Sequence, residues 1–351
     1  MKASNAAIRS RRLPLKMVSE RARAGAELAG AGAREAFAVH RLLVFFARRE
    51  RLLARTGSCL LLNLVVFMGS IGLLRHVLVP CTRRVSSLLL PLTEGEEFGL
   101  LARLASSEAR AKGYAFGESW LLGLLEQLLV GLFNLFWLVP AYGVSFLINS
   151  MYYNEIAKNA WIALQEGGAA EGAPRRRDGV AGGVAEEAYR LLLILAFIFQ
   201  ILVVDAVIPV VGRAAGFVGW CWLYSYYAFD YKFSLARWSS GRRIAYFERH
   251  CLFMLGFGAP CTLVTYFTSF YVGAATANAL FPFTIIIAMA SDPEEHASRI
   301  QAKHGLAASP GGRAPVFGLA SRVVGHIIRR FFGGPAPRRR RPGAKAAAKR
   351  S

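Results

Sequence analysis

The sequence has few charged residues through its middle, and several long stretches contain none. Of its 351 residues, 54% are hydrophobic and only 19% are charged, and the charges gather at the two ends and in a few loops. A soluble protein has about a quarter charged residues, with both signs alternating along amphipathic elements. One charge at the centre of a bilayer costs roughly 2.5–3.5 kcal/mol on insertion scales. The composition therefore argues against a soluble protein and predicts an integral membrane protein.

The chain also lacks the motifs of a disulfide-stabilised scaffold or of a common enzyme. Its five cysteines form no CxxC pair and lie in or beside apolar runs, which favours small packing residues over disulfides or a zinc site. The sequence contains no GxSxG, Walker loop, HExxH or GxGxxG motif. His296 and His304 lie near two glutamates, which is a weak pattern for a metal site. We expect no enzymatic activity, no cofactor and no metal.

A net charge of +21 is concentrated in two basic tails. Residues 1–55 hold 13 Lys/Arg against 4 Asp/Glu, and residues 293–351 hold 13 against 2. Such an excess can indicate nucleic-acid binding, but here it flanks the hydrophobic region, where the positive-inside rule places it. We expect both tails to lie in the cytosol, without a nucleic-acid partner. Residues 1–30 and 292–351 are predicted to be disordered, and residues 36–55 form either a helix in the headgroup region or a plain juxtamembrane helix.

The uncharged runs predict an all-α polytopic protein with about six membrane helices. The 19 uncharged residues 56–74 suffice to cross a hydrocarbon core of about 30 Å. A Gly/Ala/Arg linker at 166–185 divides the membrane domain, which covers residues 56–291. The predicted segments are residues 56–80, 118–139, 141–153, 190–211, 214–230 and a folded-back 251–291.

Two predicted segments fold back on themselves. Only Gly212 and Arg213 separate the runs 190–211 and 214–230, which predicts a tight helical hairpin. Each arm is marginal in length, so the sequence leaves two alternatives open: full crossing and partial penetration of the membrane. Residues 251–291 contain 41 residues without one charge, about 60 Å as a single helix, or twice the hydrocarbon core. We expect a turn at 272–278, where Gly and Ala are dense. Six segments would return both tails to the same side of the membrane.

Three ionisable residues lie within or near the hydrophobic segments: Arg75, Glu126 and Asp205. Such residues face the bundle interior, pair with one another or line a polar path. Under a structural interpretation, Glu126 and Asp205 hydrogen-bond between helices and Arg75 anchors at the headgroups. Under a functional one, all three belong to an ion pathway.

Three sequence blocks carry a resemblance to a known family. The chain resembles the etoposide-induced 2.4 family of endoplasmic reticulum membrane proteins over roughly residues 56–295. The blocks are FWLVPAYGVSFLINSMYYNEIA, LYSYYAFDYKF and a third that begins at Glu248. The positions that match the family motifs are Pro140, Asn149, Glu155, Tyr224, Tyr227, Asp230, Tyr231, Glu248, Arg249, Gly256, Gly258, Pro260 and Pro282.

This resemblance implies a location in the endoplasmic reticulum membrane and a role in macroautophagy through protein partners. The cytosolic parts that would meet those partners include Glu155 and residues 230–249. The fold is also distantly similar to the bacterial CysZ sulfate permeases, which combine full spans with partial hairpins. Those permeases carry a Gly-Leu-Arg turn ahead of the first span, where this chain has Ala54, Arg55, Thr56 and Gly57. Two hypotheses remain: a non-enzymatic scaffold in the lipid bilayer, and an anion permease that uses Arg75.

Overall fold

Every regular element in the described part of the chain is helical. The structure, a computed structural model, describes residues 2–73, 76–77, 80, 131, 139–168, 180–208, 211–268, 270–306 and 310–332. The helices are α1 (Lys2–Ala36), α2 (His40–Arg48), α3 (Glu50–Leu73), α4 (Val139–Glu166), α5 (Val180–Val207), α6 (Val211–Leu235), α7 (Ser240–Arg249), α8 (Cys251–Tyr266), α9 (Phe270–Ala290), α10 (Pro293–His304) and α11 (Gly318–Phe332).

Three of these helices are long and apolar enough to cross a membrane. The candidate spans are Glu50–Ser70 in α3, Ala188–Val207 in α5 and Val272–Ala290 in α9. Each holds about 20 residues, the length that crosses a hydrocarbon core of about 30 Å. Helix α8 is equally apolar but has only 16 residues. The predicted segment 118–139 lies outside the described residues except at Gly131 and Val139, and Glu126 and Arg75 also lie outside them.

The chain divides into two compact units. The first combines Met1–Val44, Trp161–Thr268 and Phe283–Ser351, and the second combines Phe45–Ala160 with Ser269–Pro282.

Helix α8 is the centre of the first unit, where it packs against α1 and α6. Two glycines of α8 allow this close approach. A Cβ on Gly256 would lie 1.8 Å from the carbonyl oxygen of Ala29 in α1, and one on Gly258 would lie 1.9 Å from that of Cys221 in α6. Small residues at such crossings let backbones touch, as in helix pairs within membranes.

The second unit has a polar core between buried small residues. Asn149 donates from Nδ2 to Asn63 Oδ1 at 2.6 Å and to Ser145 Oγ at 3.3 Å. Asn63 in turn donates to the backbone oxygen of Asn278 at 3.4 Å, and Cys59 Sγ lies 3.5 Å from Asn149 Oδ1. These contacts join α3, α4 and α9 by hydrogen bonds, which satisfy polar groups in an apolar setting.

Both terminal segments differ from the expectation of disorder. Residues 2–36 form α1, which alternates Ala and Gly with larger residues and buries Ala24, Leu28 and Ala31. Alanine has the highest helix propensity, and the small side chains allow the approach to α8. The prediction of disorder at residues 1–30 was based on composition, which carries no information about the packing of α1 against α8.

The C-terminal segment contains α10 and α11 within the range expected to be disordered. Asp292 caps α10 by accepting hydrogen bonds from the amides of Glu294 and Glu295, at 3.0 and 3.3 Å. Pro293 fills the first turn, and Gly305 ends the helix with a φ of 60°. Such start and stop residues specify a helix locally, even in a basic, polar segment.

The two folded-back segments turn at positions other than those predicted. Helix α5 ends at Val207, just before Pro209, whereas Gly212 lies inside α6. The residue before a proline is disfavoured in helix, which explains the earlier turn. The break in 251–291 falls between Tyr266 and Phe270, not at 272–278, where the alanines continue α9.

Candidate functional site

Asp230 lies buried near the end of α6, between two arginines. Its Oδ1 accepts a hydrogen bond from Arg243 Nη1 at 3.1 Å, and its Oδ2 lies 3.4 Å from Arg190 Nε. The three side chains keep 5% or less of their surface exposed. An isolated buried charge costs several kcal/mol, so such charges are stable only when paired. The group therefore ties α5, α6 and α7 together.

Two tyrosines complete the surroundings of Arg190. The guanidinium carbon lies 5.1 Å from the ring centre of Tyr227 and 4.3 Å from that of Tyr231. The Tyr231 hydroxyl donates to the Tyr227 hydroxyl at 3.1 Å. A cation within about 6 Å of an aromatic ring is attracted to its face. Three motif positions, Tyr227, Asp230 and Tyr231, thus meet around one buried arginine.

An unusual backbone conformation follows the end of helix α6. Arg237 takes a left-handed conformation with φ 60°, and its amide donates to Ser234 O at 3.1 Å. The Trp238 amide donates to Phe233 O at 3.0 Å, while the two rings stack with centres 4.7 Å apart. Glycine usually occupies such a position, since the left-handed region costs other residues about 1–2 kcal/mol. We call residues 230–249, from Asp230 to the end of α7, the α6–α7 corner.

A second polar network lies next to this corner. The Glu35 carboxylate accepts two hydrogen bonds from Arg41, at 2.6 and 2.9 Å, and one from Ser291 Oγ at 3.0 Å. His296 Nε2 lies 3.2 Å from the same carboxylate. Lys232 donates to the backbone oxygen of Ser291 at 2.5 Å. The network joins the ends of α1, α6 and α9 to α10.

A cleft of about 520 Å³ opens between the α6–α7 corner and the start of α10. This volume falls in the range of small-ligand pockets, about 300–1,000 Å³. Burial lowers the pKa of the Lys232 ammonium to about 8, against the opposing effect of the Asp292 and Glu35 carboxylates. The residues that line the cleft are Lys232, Trp238, Arg242, Ala245, Tyr246, Arg249, Asp292 and Glu294.

Ion pairs and hydrogen bonds connect the C-terminal segment to other parts of the first unit. Arg313 Nε donates to Glu248 Oε2 at 3.1 Å, and the Ala314 amide donates to Glu248 O at 3.3 Å. His304 lies between two carboxylates of α1, 3.0 Å from Glu20 and 2.8 Å from Glu27. Hydrogen bonds to these carboxylates raise the pKa of His304.

Of the three predicted intramembrane residues, the structure describes only Asp205. Arg75 and Glu126 lie outside the described residues. Asp205 lies near the end of α5, with Oδ1 3.5 Å from the Tyr266 hydroxyl, and that hydroxyl donates to Arg213 O at 3.0 Å. The described part of the molecule therefore gives Asp205 a hydrogen-bonding environment between helices.

The remaining motif positions are spread over both units. Tyr224 donates to Thr265 Oγ1 at 3.2 Å, Gly256 and Gly258 lie at helix crossings, and Arg249 lines the cleft. Pro260 and Pro282 lie within α8 and α9, and Pro140 lies at the start of α4. In the second unit, Asn149 belongs to the polar core, whereas Glu155 makes a half-exposed pair with Lys158 at 3.2 Å.

Several residues of these networks were not anticipated from the sequence. Arg243 meets Asp230 across 13 positions of the chain, and Glu35 meets Ser291 across 256. Arg190 likewise pairs with Asp230 from a different helix. No local pattern specifies such pairs. Arg190 was one available signal, because it is a charged residue at the start of an apolar run. A charge in that position requires a partner. No group of three or more metal-ligating side chains occurs among the described residues.

A chain whose described elements are all helices, three of them able to span a bilayer, is a polytopic membrane protein. Residues 38–272 match the family described as sulfate transporter CysZ/etoposide-induced protein 2.4. The chain is 33% identical to "Protein EI24 homolog" of Arabidopsis thaliana over 284 residues, covering 75% of this chain and 82% of that protein. It therefore belongs to the sulfate transporter CysZ/etoposide-induced protein 2.4 family.

A second relative matches over a shorter region. It is "Protein EI24 homolog" of Dictyostelium discoideum, 33% identical over 160 residues, covering 45% of this chain and 50% of that protein. No solved structure matches the chain.

Proposed function

We propose that this protein is a non-enzymatic membrane protein of the endoplasmic reticulum that acts in macroautophagy as a scaffold for protein partners. Membership of the family, and the resemblance of the three motif blocks, support the location and the process. The structure supports the scaffold part through one observation, the buried group of Asp230, Arg190 and Arg243. This group uses its charges to hold helices together.

The α6–α7 corner is suited to contact partners because it is fixed from within and charged outside. The buried pair of Asp230 and Arg243 fixes the corner internally, whereas Arg237, Arg242 and Arg249 are exposed on its surface. A backbone conformation as costly as that of Arg237 persists only where its surroundings determine it, and such positions cluster at functional sites. A basic, rigid surface of this kind favours acidic segments of partner proteins.

The scaffold function is tested by deleting the gene and measuring autophagic flux under starvation. Cells would be rescued with tagged wild-type protein or with Arg75→Ala. If the protein is a scaffold, deletion blocks flux, both forms restore it and the tag shows a reticular distribution. Normal flux in deleted cells, or rescue by the wild type alone, would contradict the proposal.

A second candidate function is an anion permease, favoured by the sulfate transporter named in the family description. Its test is sulfate uptake into proteoliposomes that contain the purified full chain, compared with Arg75→Ala and with empty liposomes. A permease would carry sulfate at a rate that falls to the empty-liposome level in the variant. Uptake that Arg75→Ala leaves unchanged would exclude this pathway.

A further inference from the structure

The cleft beside the α6–α7 corner lies close to the end of a candidate membrane span. The span Val272–Ala290 ends two residues before Asp292, which lines the cleft. At about 1.5 Å per helical residue, that separation is only a few ångströms beyond the hydrocarbon boundary. A ligand in the cleft could therefore keep its polar part among these side chains and its acyl chains in the bilayer.

The lining of the cleft carries both signs of charge together with two aromatic rings. Arg242 stacks on Trp238, with its guanidinium carbon 4.1 Å from the ring centre. It makes no ion pair with any residue that the structure describes, so this exposed cation keeps its donors for a ligand. Arginine N–H groups in such a position match the oxygens of a phosphate.

The lining of the cleft also includes two carboxylates. Asp292 and Glu294 lie beside Tyr246, and both carboxylates are exposed. Glu294 Oε2 lies 2.9 Å from His250 Nε2, and Asp292 Oδ1 caps α10, which fixes both carboxylates in place. A carboxylate beside an aromatic ring favours an organic ammonium group.

From this arrangement we propose that the cleft binds the headgroup of a zwitterionic phospholipid. The phosphate diester contacts Arg242 and Arg249, and the ammonium group lies between Tyr246 and the two carboxylates. A headgroup without an ammonium group is disfavoured, because it leaves the carboxylates of Asp292 and Glu294 without a cation from the ligand. This inference goes beyond the scaffold function and does not depend on it.

The test is native mass spectrometry of the full-length protein in detergent, with added dioleoyl phosphatidylethanolamine or dioleoyl phosphatidylglycerol. The second lipid has the phosphate but no ammonium group. We expect the ethanolamine lipid to bind at least about tenfold more tightly, the factor that one charge-assisted contact supplies. Equal affinity for the two lipids, or no retained lipid, would overturn the proposal.

Three variants test separate parts of the proposed lipid site. Arg242→Glu should weaken binding of the ethanolamine lipid at least about tenfold, whereas Arg237→Glu, a neighbouring exposed arginine outside the cleft, should change it less than about threefold. Glu294→Gln should abolish the preference between the two lipids. Unchanged binding by Arg242→Glu, or an equal loss with Arg237→Glu, would show that the lipid binds elsewhere.

The lipid must also be distinguished from a soluble headgroup. Free phosphoethanolamine would be added at the same concentration as the lipid, in competition. Because the acyl chains contribute to binding only in the lipid, the free headgroup should leave most of the lipid bound. Displacement of the lipid at equal concentration would assign the cleft to a soluble phosphoamine and would overturn the lipid assignment.

Discussion

At the scale of single residues, the described structure uses its buried charges to hold helices together. Arg190 and Asp205 are the two charged residues of the span Ala188–Val207, and they contact Asp230 and Tyr266. An ionisable residue in a membrane segment is a candidate for a functional pathway. Here each of the two has a protein partner on a neighbouring helix, which favours the structural interpretation of Asp205.

Replacing Asp230 with asparagine should destabilise the first unit strongly. Asp230→Asn leaves Arg190 and Arg243 buried without their counter-charge, and breaking a buried pair in this way costs about 3–5 kcal/mol. The measurement is thermal unfolding in detergent, followed by a thiol-reactive dye. Cys59, Cys221, Cys251 and Cys261 are buried free thiols that the dye reaches only on unfolding.

The matched control for that substitution is Glu155→Gln, the same acid-to-amide change in an exposed pair with Lys158. Exposed pairs contribute about 0–1 kcal/mol, so this variant should unfold close to the wild type. Equal unfolding temperatures for Asp230→Asn and Glu155→Gln would contradict the role assigned to the buried group.

The attachment of α10 to α1 should weaken as the pH rises. Hydrogen bonds to Glu27 and Glu20 raise the pKa of His304 above its ordinary value of 6.5, while His304 and Lys303 lower the pKa of Glu27. The protonated imidazole stabilises the folded state, so this contribution is fully present below pH 6.5 and is lost as pH rises through the raised pKa.

Amide hydrogen exchange of α10 between about pH 6 and pH 8.5, corrected for the intrinsic rate, measures this attachment. The wild type should lose protection across this range, while His304→Gln should be less protected and independent of pH. His326→Gln, on an exposed position of α11, is the control and should behave as the wild type. Wild-type protection that does not change with pH would refute the assignment.

At the scale of elements, the helix crossings depend on glycines that permit backbone contact. A methyl group on Gly256 would lie 1.8 Å from Ala29 O, so Gly256→Ala must push α1 away from α8. Overpacking of this kind costs typically about 1–3 kcal/mol. The thiol-reactive unfolding assay should show that loss.

Gly57→Ala is the corresponding control, since a Cβ at this helical position meets no atom within 4 Å. Alanine is favoured over glycine in a helix by about 1 kcal/mol, so this variant should be as stable as the wild type or more so. If Gly256→Ala matched Gly57→Ala in stability, the close crossing of α1 and α8 would be wrong.

The elements that sequence predicted well are those with strong hydrophobic patterns. The runs that begin near residues 56, 190 and 251 all correspond to helices, since an apolar run must satisfy its backbone internally in lipid. The prediction and the structure differ at α10, where the prediction relied on the composition of the segment and not on its local helix start and stop residues. Asp292, Pro293 and Gly305 are start and stop residues that predict α10, although its segment is polar and basic.

The polar networks could be predicted only in part. Asp230 and its tyrosines were identified through the family motif, but Arg243 and Glu35 lie in segments without such a signal. Their partners are set by tertiary packing between helices distant in the chain. Sequence patterns specify which residues need a partner, and the fold determines which partner they obtain.

At the scale of the whole molecule, the chain combines apolar helices with a strongly basic exterior. The net charge of +21 is greatest in the two terminal regions, and the α6–α7 corner adds exposed arginines. In the described residues, the buried charges are paired within the protein, whereas the exposed charges are mostly basic. This division between internal pairing and external positive charge supports the proposed scaffold function.

The most direct test of the central claim is rescue of autophagic flux by a variant altered only on the surface of the α6–α7 corner. Arg237→Glu replaces one non-glycine residue by another at the left-handed backbone position, so it changes only the sign of the exposed charge. Arg322→Glu makes the same charge reversal at an exposed position of α11. Both proteins should reach the endoplasmic reticulum at wild-type levels. If the corner binds acidic partners, Arg237→Glu fails to restore flux and Arg322→Glu restores it. Full rescue by Arg237→Glu would contradict the account.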